Sequence, residues 1–364
     1  MYPVDIEHPV QIPQGKNNIG STRGRAELKP PALSICIPTY NFGKFIGETL
    51  ESIVGQATED VEIVILDGGS TDNTAEVVEG FRNAFPSLRY FRQDFKGGID
   101  RDMAKSVELA RGEYCWLFSS DDVMINGALD SILRQIQSGK DLYLCGFRRC
   151  TIDMKPVARH PILRFPADTE FNLGNPKDRQ LYFSGALTTT AFFSYMSSLV
   201  VRRDRWETAG EDESFVGSCW GHVARIFRMI PEGLKVGFLP DTYLLNRGEN
   251  DSFLEAGRVN RIAIAVDGYH RLGEVFFGRD SIEAYHLRRV LKNEYTMSYL
   301  LYAKLLACEG DEKRKQEKLE SLVDKLFIDR SPTDRLRHAV YRLSPVFLLH
   351  IAAAASCRLR SLTR

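Results

Sequence analysis

The sequence predicts an α/β protein built on a mostly parallel sheet flanked by helices. Short apolar segments alternate with segments of helical periodicity over about 90 residues, a pattern typical of parallel strands joined by right-handed crossovers. Polar loops with carboxylate or aromatic side chains follow three of the apolar segments. In such sheets the carboxyl ends of the strands meet at one edge, and ligands bind there.

Length and composition limit the classes of protein that the chain can belong to. At 364 residues, with 43% apolar and 26% charged residues, it is typical of a globular protein with a large core and a second lobe. The 48 basic and 48 acidic side chains cancel, so no net charge favours nucleic acid as a partner. The seven cysteines form no Cys-x-x-Cys pair, which predicts neither a zinc site nor a disulfide framework and favours a reducing cytoplasm. We expect no signal peptide, and no apolar run approaches the roughly 20 residues of a transmembrane helix.

The order of elements follows from apolar periodicity. Residues 1–31 are rich in proline, glycine, asparagine and charge, so we expect a disordered tail. The predicted strands are residues 33–38, 61–66, 88–91, 114–118, 196–203 and 235–239. The predicted helices are residues 44–54, 75–85 and 103–110, followed by a helical region from 258 to about 326.

An acidic loop, Ser-Ser-Asp-Asp at residues 119–122, directly follows the predicted strand at 114–118. Two adjacent carboxylates at a sheet edge suit a divalent cation such as Mg²⁺, which binds one or two carboxylates plus substrate phosphates. A polar turn that caps the next helix is the alternative. Because Thr39-Tyr40 and Asp67 end two neighbouring strands, all three loops should converge, and together they predict a nucleotide site.

Four motifs occur in order over about residues 33–135: SICIPTYN at 34–41, VILDGGSTD at 64–72, ARGEY at 110–114 and SSDD at 119–122. In this order and spacing they resemble family 2 glycosyltransferases, which have the GT-A fold. The resemblance implies inverting transfer of a sugar from a nucleotide-sugar donor, with Mg²⁺ or Mn²⁺ at the donor's diphosphate. Within the family, the chain looks most similar to the abequosyltransferase-like branch of O-antigen and surface-polysaccharide transferases.

The same resemblance implies roles for individual side chains. The residues expected to bind the nucleotide-sugar are Pro38, Thr39, Tyr40, Asn41, Asp67, Gly69, Arg101, Ser119, Asp121 and Arg247. Asp121 and Asp122 stand where the family's Asp-x-Asp motif holds the ribose and the metal-bound diphosphate. Ser119 replaces the first aspartate of that motif, so which carboxylate binds the metal directly stays open. Arg101 would neutralise the diphosphate or hold Asp67 or Asp121, unless it forms only a surface salt bridge.

Inverting transfer also needs a base within hydrogen-bond reach of the acceptor hydroxyl. Ser218 and Cys219 lie where the family has a Glu-Asp pair, so the candidate catalytic residues are Asp212, Glu213 and His222. We favour Asp212, with His222 a close second because an imidazole titrates near neutrality. A solvated acidic loop and a histidine that caps a helix are the structural alternatives.

A polar cluster at residues 243–253 follows the last predicted strand, and it predicts either a loop that closes over the diphosphate or an ordinary exit loop. In the first case Arg247 supplies the counter-charge, and Arg247→Ala should weaken donor binding more than it destabilises the fold.

The expected domains are the tail (1–31), a GT-A domain with nucleotide-binding (32–135) and acceptor (136–255) halves, and a helical C-terminal region (256–364). A helix at 335–362, in which arginines surround apolar residues 346–355, should either lie in a membrane interface or pack on the domain. The resemblance favours the membrane, since such transferases commonly act on polyprenyl-diphosphate-linked saccharides at the inner face of the cell membrane.

Two other functions remain as alternatives. A nucleotidyltransferase has a similar fold, but no glycine-rich, basic loop for a triphosphate occurs near the N-terminus. A non-catalytic nucleotide- or sugar-binding homologue would explain Ser119 and the missing Glu-Asp pair.

Overall fold

The computed structural model describes residues 30–309 and 313–345. The strands are β1 (Leu33–Thr39), β2 (Val61–Asp67), β3 (Leu88–Arg92), β4 (Tyr114–Leu117), β5 (Val123–Met124), β6 (Leu142–Cys150), β7 (Pro156–Arg159), β8 (Thr169–Asn172), β9 (Leu199–Arg202) and β10 (Lys235–Arg247). The α-helices are α1 (Gly43–Val54), α2 (Thr74–Arg82), α3 (Ile99–Glu108), α4 (Ala128–Gln135), α5 (Pro176–Gly185), α6 (Arg203–Ala209), α7 (Gly221–Arg228), α8 (Arg258–Phe277), α9 (Ile282–Glu294), α10 (Met297–Glu309), α11 (Lys313–Leu326) and α12 (Pro332–Leu343). Most of the predicted tail and the apolar residues 346–355 lie outside the described residues.

All strands belong to one mixed sheet with the order β3-β2-β1-β4-β9-β6-β10-β5, with β7 beside β6 and β8 beside β10. The first four strands in this order are parallel to one another, as predicted. Every residue of β1 and β2 is buried. Burial on both faces explains their nearly continuous runs of apolar residues. β9 is antiparallel to both of its neighbours, β4 and β6, and joins the two halves of the sheet.

Of the boundaries that differ from the prediction, the two with the largest shifts have local reasons. The strand expected to end at residue 239 continues to Arg247, because shifts in register between Leu239 and Leu244 absorb Pro240 as an irregularity. Helix α3 begins at Ile99 rather than at residue 103. Its preceding residue, Gly98, has a φ of 87°, which only glycine adopts readily.

Helices α8 to α12 form the predicted helical region, and its core is continuous with that of the sheet domain. Trp220, at the start of α7, carries much of this junction: its indole Nε1 donates to the Ile264 carbonyl of α8 at 2.8 Å. The ring lies against Gly268, where an added Cβ would be 2.0 Å from Nε1. Within the described ranges no helix combines the length and apolar character that crossing a membrane requires.

The contact between Trp220 and Gly268 predicts a stability difference between two Gly→Ala variants. Gly268→Ala should lower the free energy of unfolding by about 1–3 kcal/mol, because the methyl group overpacks the junction. Gly80→Ala in α2 is the control: its Cβ would have nothing within 4 Å, so helix propensity should give a gain of up to about 1 kcal/mol. Denaturant unfolding measures both, and a Gly268→Ala protein as stable as wild type would contradict the tight contact.

Candidate active site

The loops after β1 and β2 are joined at the carboxyl edge of the sheet. The Gly68 amide donates to the Thr39 carbonyl at 2.9 Å, and the Asn41 amide donates to Ser70 Oγ at 2.8 Å. Asn41 accepts in turn from the Thr71 amide at 2.7 Å. Its φ of 57° is left-handed, a conformation that asparagine tolerates better than most residues. The two predicted nucleotide loops therefore form one surface.

Asp67 lies beneath that surface rather than on it. The residue is fully buried, and its carboxylate accepts from the Ser70 amide at 2.7 Å and from the Tyr90 hydroxyl. Asp67 is among the residues expected to bind the nucleotide-sugar, and in the structure its carboxylate is occupied in shaping the loop. Pro38 and Thr39 are buried too, whereas Tyr40 is partly exposed and carries the Lys96 ammonium 4.1 Å from its ring centroid. Gly69, with a φ of 81°, allows the turn within the loop after β2.

Asp122 is an internal anchor of the acidic loop. It is 1% exposed and accepts four hydrogen bonds. Those to Oδ2 come from the hydroxyls of Tyr195 and Ser197, and those to Oδ1 from the Asn246 amide group and the Arg247 backbone, both at 3.1 Å. Burial and then the Asp121 charge raise the pKa of the Asp122 carboxyl. Because an ionised carboxylate accepts about four hydrogen bonds, protein groups already occupy Asp122.

By the same count of hydrogen bonds, the Asp121 carboxylate can accept more than it does. It accepts from the Ser119 hydroxyl at Oδ1 and from the Asn250 amide group at Oδ2, 2.8 Å away. About two acceptor positions remain at this residue, which lies beside the sheet edge and is 8% exposed. In the described part of the chain no cluster of three His, Cys, Asp or Glu side chains could hold a metal by itself. One carboxylate and a hydroxyl still fit a cation that takes its other ligands from phosphate and water.

Arg247 is in the interior, and not in the expected loop over the diphosphate. It ends β10, its side chain is 4% exposed, and its guanidinium contacts the Glu48 carboxylate. It also donates to the carbonyls of Asp121 at 2.9 Å and Ile152 at 2.6 Å. Because protein groups occupy the guanidinium, Arg247 supports the acidic loop from below.

Arg101 and the three candidate bases lie on or near the junction of α3 and α7. Arg101 and Glu213 form an exposed ion pair at 3.8 Å, the surface salt bridge that was the alternative for Arg101. Asp212 begins the short 3₁₀ turn Glu213–Phe215 and accepts from the Ser214 amide at 3.0 Å through Oδ1. His222 is buried, with Nε2 3.1 Å from the Phe193 carbonyl, and burial lowers its pKa.

Asp100 is a residue that the sequence analysis missed. This buried side chain in the first turn of α3 accepts from the amides of Cys219 and Gly221, both at 2.9 Å. Cys219 has a φ of 72°, which is strained for a residue with a side chain. Asp100 thereby supplies a carboxylate to the segment that lacks the family's Glu-Asp pair.

Tyr195, Ser197, Asn246 and Asn250 were also missed as partners of the acidic loop. Their contacts with Asp121 and Asp122 span 73 to 129 residues of sequence, so no local spacing could reveal them. For Asn246 and Asn250, the polar cluster at 243–253 was the one sequence signal that pointed to a role near the site.

Comparison with known proteins agrees with this architecture. The model of glycosyl transferase family 2 matches residues 34–202. The abequosyltransferase RfbV of Salmonella typhimurium is 34% identical over 290 residues, which are 78% of this chain and 86% of that protein. The GalNAc(5)-diNAcBac-PP-undecaprenol beta-1,3-glucosyltransferase of Campylobacter jejuni is 29% identical over 124 residues, 34% of this chain and 39% of that protein.

Among solved structures, S. aureus TarS 1–349 in complex with UDP-GlcNAc aligns with a TM-score of 0.59 at 16% identity, over 85% of this chain and 91% of that chain. This likeness supports the GT-A fold of the mixed sheet and its helices.

The interior position of Arg247 reverses the expected effect of its removal. Arg247→Ala should lower the free energy of unfolding by about 1–3 kcal/mol, because two buried carbonyls lose their donor. Arg82→Ala is the matched control, since the Arg82 side chain is 50% exposed and a surface change costs within about 0.5 kcal/mol. Denaturant unfolding tests both variants. An Arg247→Ala protein of wild-type stability that binds donor less tightly would restore the loop hypothesis.

Proposed function

The chain belongs to glycosyl transferase family 2, and we propose that it transfers a sugar, with inversion, from a nucleotide-sugar donor to a hydroxyl of a lipid-linked saccharide. As a member of that family it is a glycosyltransferase that uses a nucleotide-sugar. The observation that supports the proposal best is the asymmetry of the acidic loop. Asp122 is enclosed by four protein donors, whereas Asp121 keeps acceptor positions beside the sheet edge.

Family 2 enzymes of the GT-A fold generally depend on a divalent metal, and here Asp121 and Ser119 are the proposed ligands of Mg²⁺ or Mn²⁺. Such a cation, when bound, stabilises the negative charge of the departing diphosphate. Tyr40 and the joined loops after β1 and β2 would hold the nucleotide. Asp67 and Arg247 would act from beneath by fixing the shapes of these loops.

Asp212 is the proposed base that accepts the proton of the acceptor hydroxyl. Its Oδ2 atom has no hydrogen-bond partner among the described residues, whereas the Glu213 carboxylate is paired with Arg101. His222 is buried and its ring contacts a backbone carbonyl. Of the two carboxylates, Glu213 is the more exposed, and Asp212 is the one that is not held in an ion pair and is free to accept a proton.

The likeness to an abequosyltransferase and to an enzyme whose name includes a PP-undecaprenol acceptor favours surface-polysaccharide assembly. The proposed acceptor is a saccharide on a polyprenyl diphosphate, and the proposed location is the cytoplasmic face of the cell membrane. Family membership does not favour the nucleotidyltransferase or the non-catalytic homologue.

A thermal-shift panel of ADP, CDP, GDP, UDP and dTDP, with and without Mn²⁺, tests the donor site. One diphosphate should stabilise the wild-type protein in a metal-dependent way, by about 2.7 kcal/mol at 100 times its Kd. Asp121→Asn should lose this stabilisation while remaining folded. Asp212→Asn is the matched control, and it should keep the stabilisation and lose sugar transfer. No shift from any diphosphate would contradict the proposed donor site, and full transfer by Asp212→Asn would contradict the proposed base.

Vesicle sedimentation tests the membrane location. On α12 the exposed side chains Leu336 and Leu343 are 66% and 78% exposed, and their spacing places them on one helix face. Leu336→Glu/Leu343→Glu should weaken binding to phosphatidylglycerol vesicles about tenfold or more, because charge replaces the apolar face near anionic lipid. Val275→Glu, at another exposed apolar position, is the control. Equal binding by all three proteins would contradict a membrane role for α12.

A further inference from the structure

A cavity of about 270 Å³ lies beside the acidic loop, and we call it the interface cavity. Tyr195 and Asn246 form part of its wall, and both donate hydrogen bonds to Asp122. The side chains of Tyr195 and Asn246 therefore separate the cavity from the acidic loop, which is the proposed diphosphate site.

Much of the remaining wall comes from the helical region. Ala265 and Tyr269 of α8 and Leu291 of α9 are buried residues that form the back of the wall, and Tyr269 packs against Trp220 with ring centroids 4.6 Å apart. Pockets for drug-sized ligands start at about 300 Å³ and are mostly apolar with a few polar groups. The interface cavity is slightly smaller and has more polar than apolar lining surface, which suits one monosaccharide ring better than an extended chain.

The polar groups of the cavity include two with unused hydrogen-bonding capacity. The guanidinium of Arg149 has no ion-pair or hydrogen-bond partner among residues 30–309 and 313–345. The Tyr295 hydroxyl likewise has no hydrogen-bond partner within those ranges, and its side chain is partly exposed at the cavity. Both groups can donate to the hydroxyls of a sugar.

The formal charges around the cavity balance. Arg261 is paired with Asp251 at 2.7 Å, and Arg149 is opposed by the Glu294 carboxylate, which accepts from the Thr189 amide at 2.6 Å. Burial, and then the charge of Arg149, lowers the pKa of His160 to about 4, so this ring is neutral at pH 7. A balanced site offers no advantage to a charged ligand and favours a neutral one.

We propose that the interface cavity binds one neutral pyranose ring, with Arg149 and Tyr295 donating to its hydroxyls. The inference rests on the proposed function, and it names the residues that select the sugar. The transferred sugar of the donor and the terminal sugar of the acceptor share this chemistry, and both meet next to the diphosphate.

The position of these residues in the sequence gives the proposal a consequence. The family match ends at residue 202, so it includes Arg149 on β6 but not Tyr295, which directly follows α9. The choice of sugar would thus depend on both the matched segment and the helical region.

Thermal shifts with named probes test the proposal on the full chain. The probes are UDP, GDP, CDP and dTDP with Mn²⁺, the corresponding UDP-glucose, GDP-mannose, CDP-glucose and dTDP-glucose, and free glucose, galactose, mannose and rhamnose. The test variants are Arg149→Met and Tyr295→Phe. Arg148→Met is the matched control on β6, because adjacent strand residues point to opposite faces, and Tyr285→Phe is the control at an exposed tyrosine of α9.

We expect sugar-dependent stabilisation beyond that of the diphosphate alone, with affinity reduced about tenfold in Arg149→Met and about fivefold in Tyr295→Phe. Both controls should match wild type. An effect confined to the nucleotide-sugars assigns the cavity to the donor's sugar, and an effect on free sugars assigns it to the acceptor. If sugars give wild type no added stabilisation, or the test variants behave like the controls, the proposal is overturned. A diphosphate shift that persists in these variants keeps the proposed function intact, and its absence from wild type would overturn the function and this inference together.

Discussion

The buried carboxylate of Asp122 is the interaction on which the site depends. A charge removed from water is costly unless protein groups replace its hydration. Here four donors do so, and they come from the turn before β9 and from the end of β10. The loop after β4 is thereby fixed to both neighbouring parts of the sheet. Because Asp121 is the adjacent residue, its carboxylate is positioned before any ligand arrives, which reduces the ordering cost of binding.

The parts of the structure that could be predicted from the sequence are those with local causes. β1 and β2 are buried on both faces, so their apolar runs identify them, and the left-handed turn at Asn41 follows from its residue type. The extent of β10 could not be predicted, because Pro240 is normally evidence for the end of a strand and only the register shift preserves the pairing. Because the strand was expected to end at residue 239, Arg247 was expected in a loop, where its charge would face the diphosphate. The partners of Asp122 depend on contacts between distant segments, and single-sequence patterns carry no information about them.

The helical region completes the site as well as the fold. Trp220 connects α7 to α8 through the Ile264 carbonyl and contacts Gly268 closely. Asp100 of α3 accepts hydrogen bonds from the strained segment around Trp220. These bonds connect α3 to α7, and through Trp220 to α8. The interface cavity lies at this junction. A change in the packing of α8 would therefore alter the wall that is proposed to contact a sugar while leaving the acidic loop in place.

Ser119 is consistent with this arrangement on electrostatic grounds. Its hydroxyl donates to Asp121 Oδ1, whereas an aspartate at the same position would place a second charge against that oxygen. The pKa of Asp122 is already raised by burial and by the single charge of Asp121, so a third carboxylate would increase the repulsion whenever no cation is bound. Serine removes that repulsion and orients Asp121 through a hydrogen bond. If Asp121 and Ser119 hold the metal as proposed, the protein supplies one negative charge fewer to the cation. The diphosphate would then supply more of the neutralising charge, so we expect metal and donor binding to be more strongly coupled.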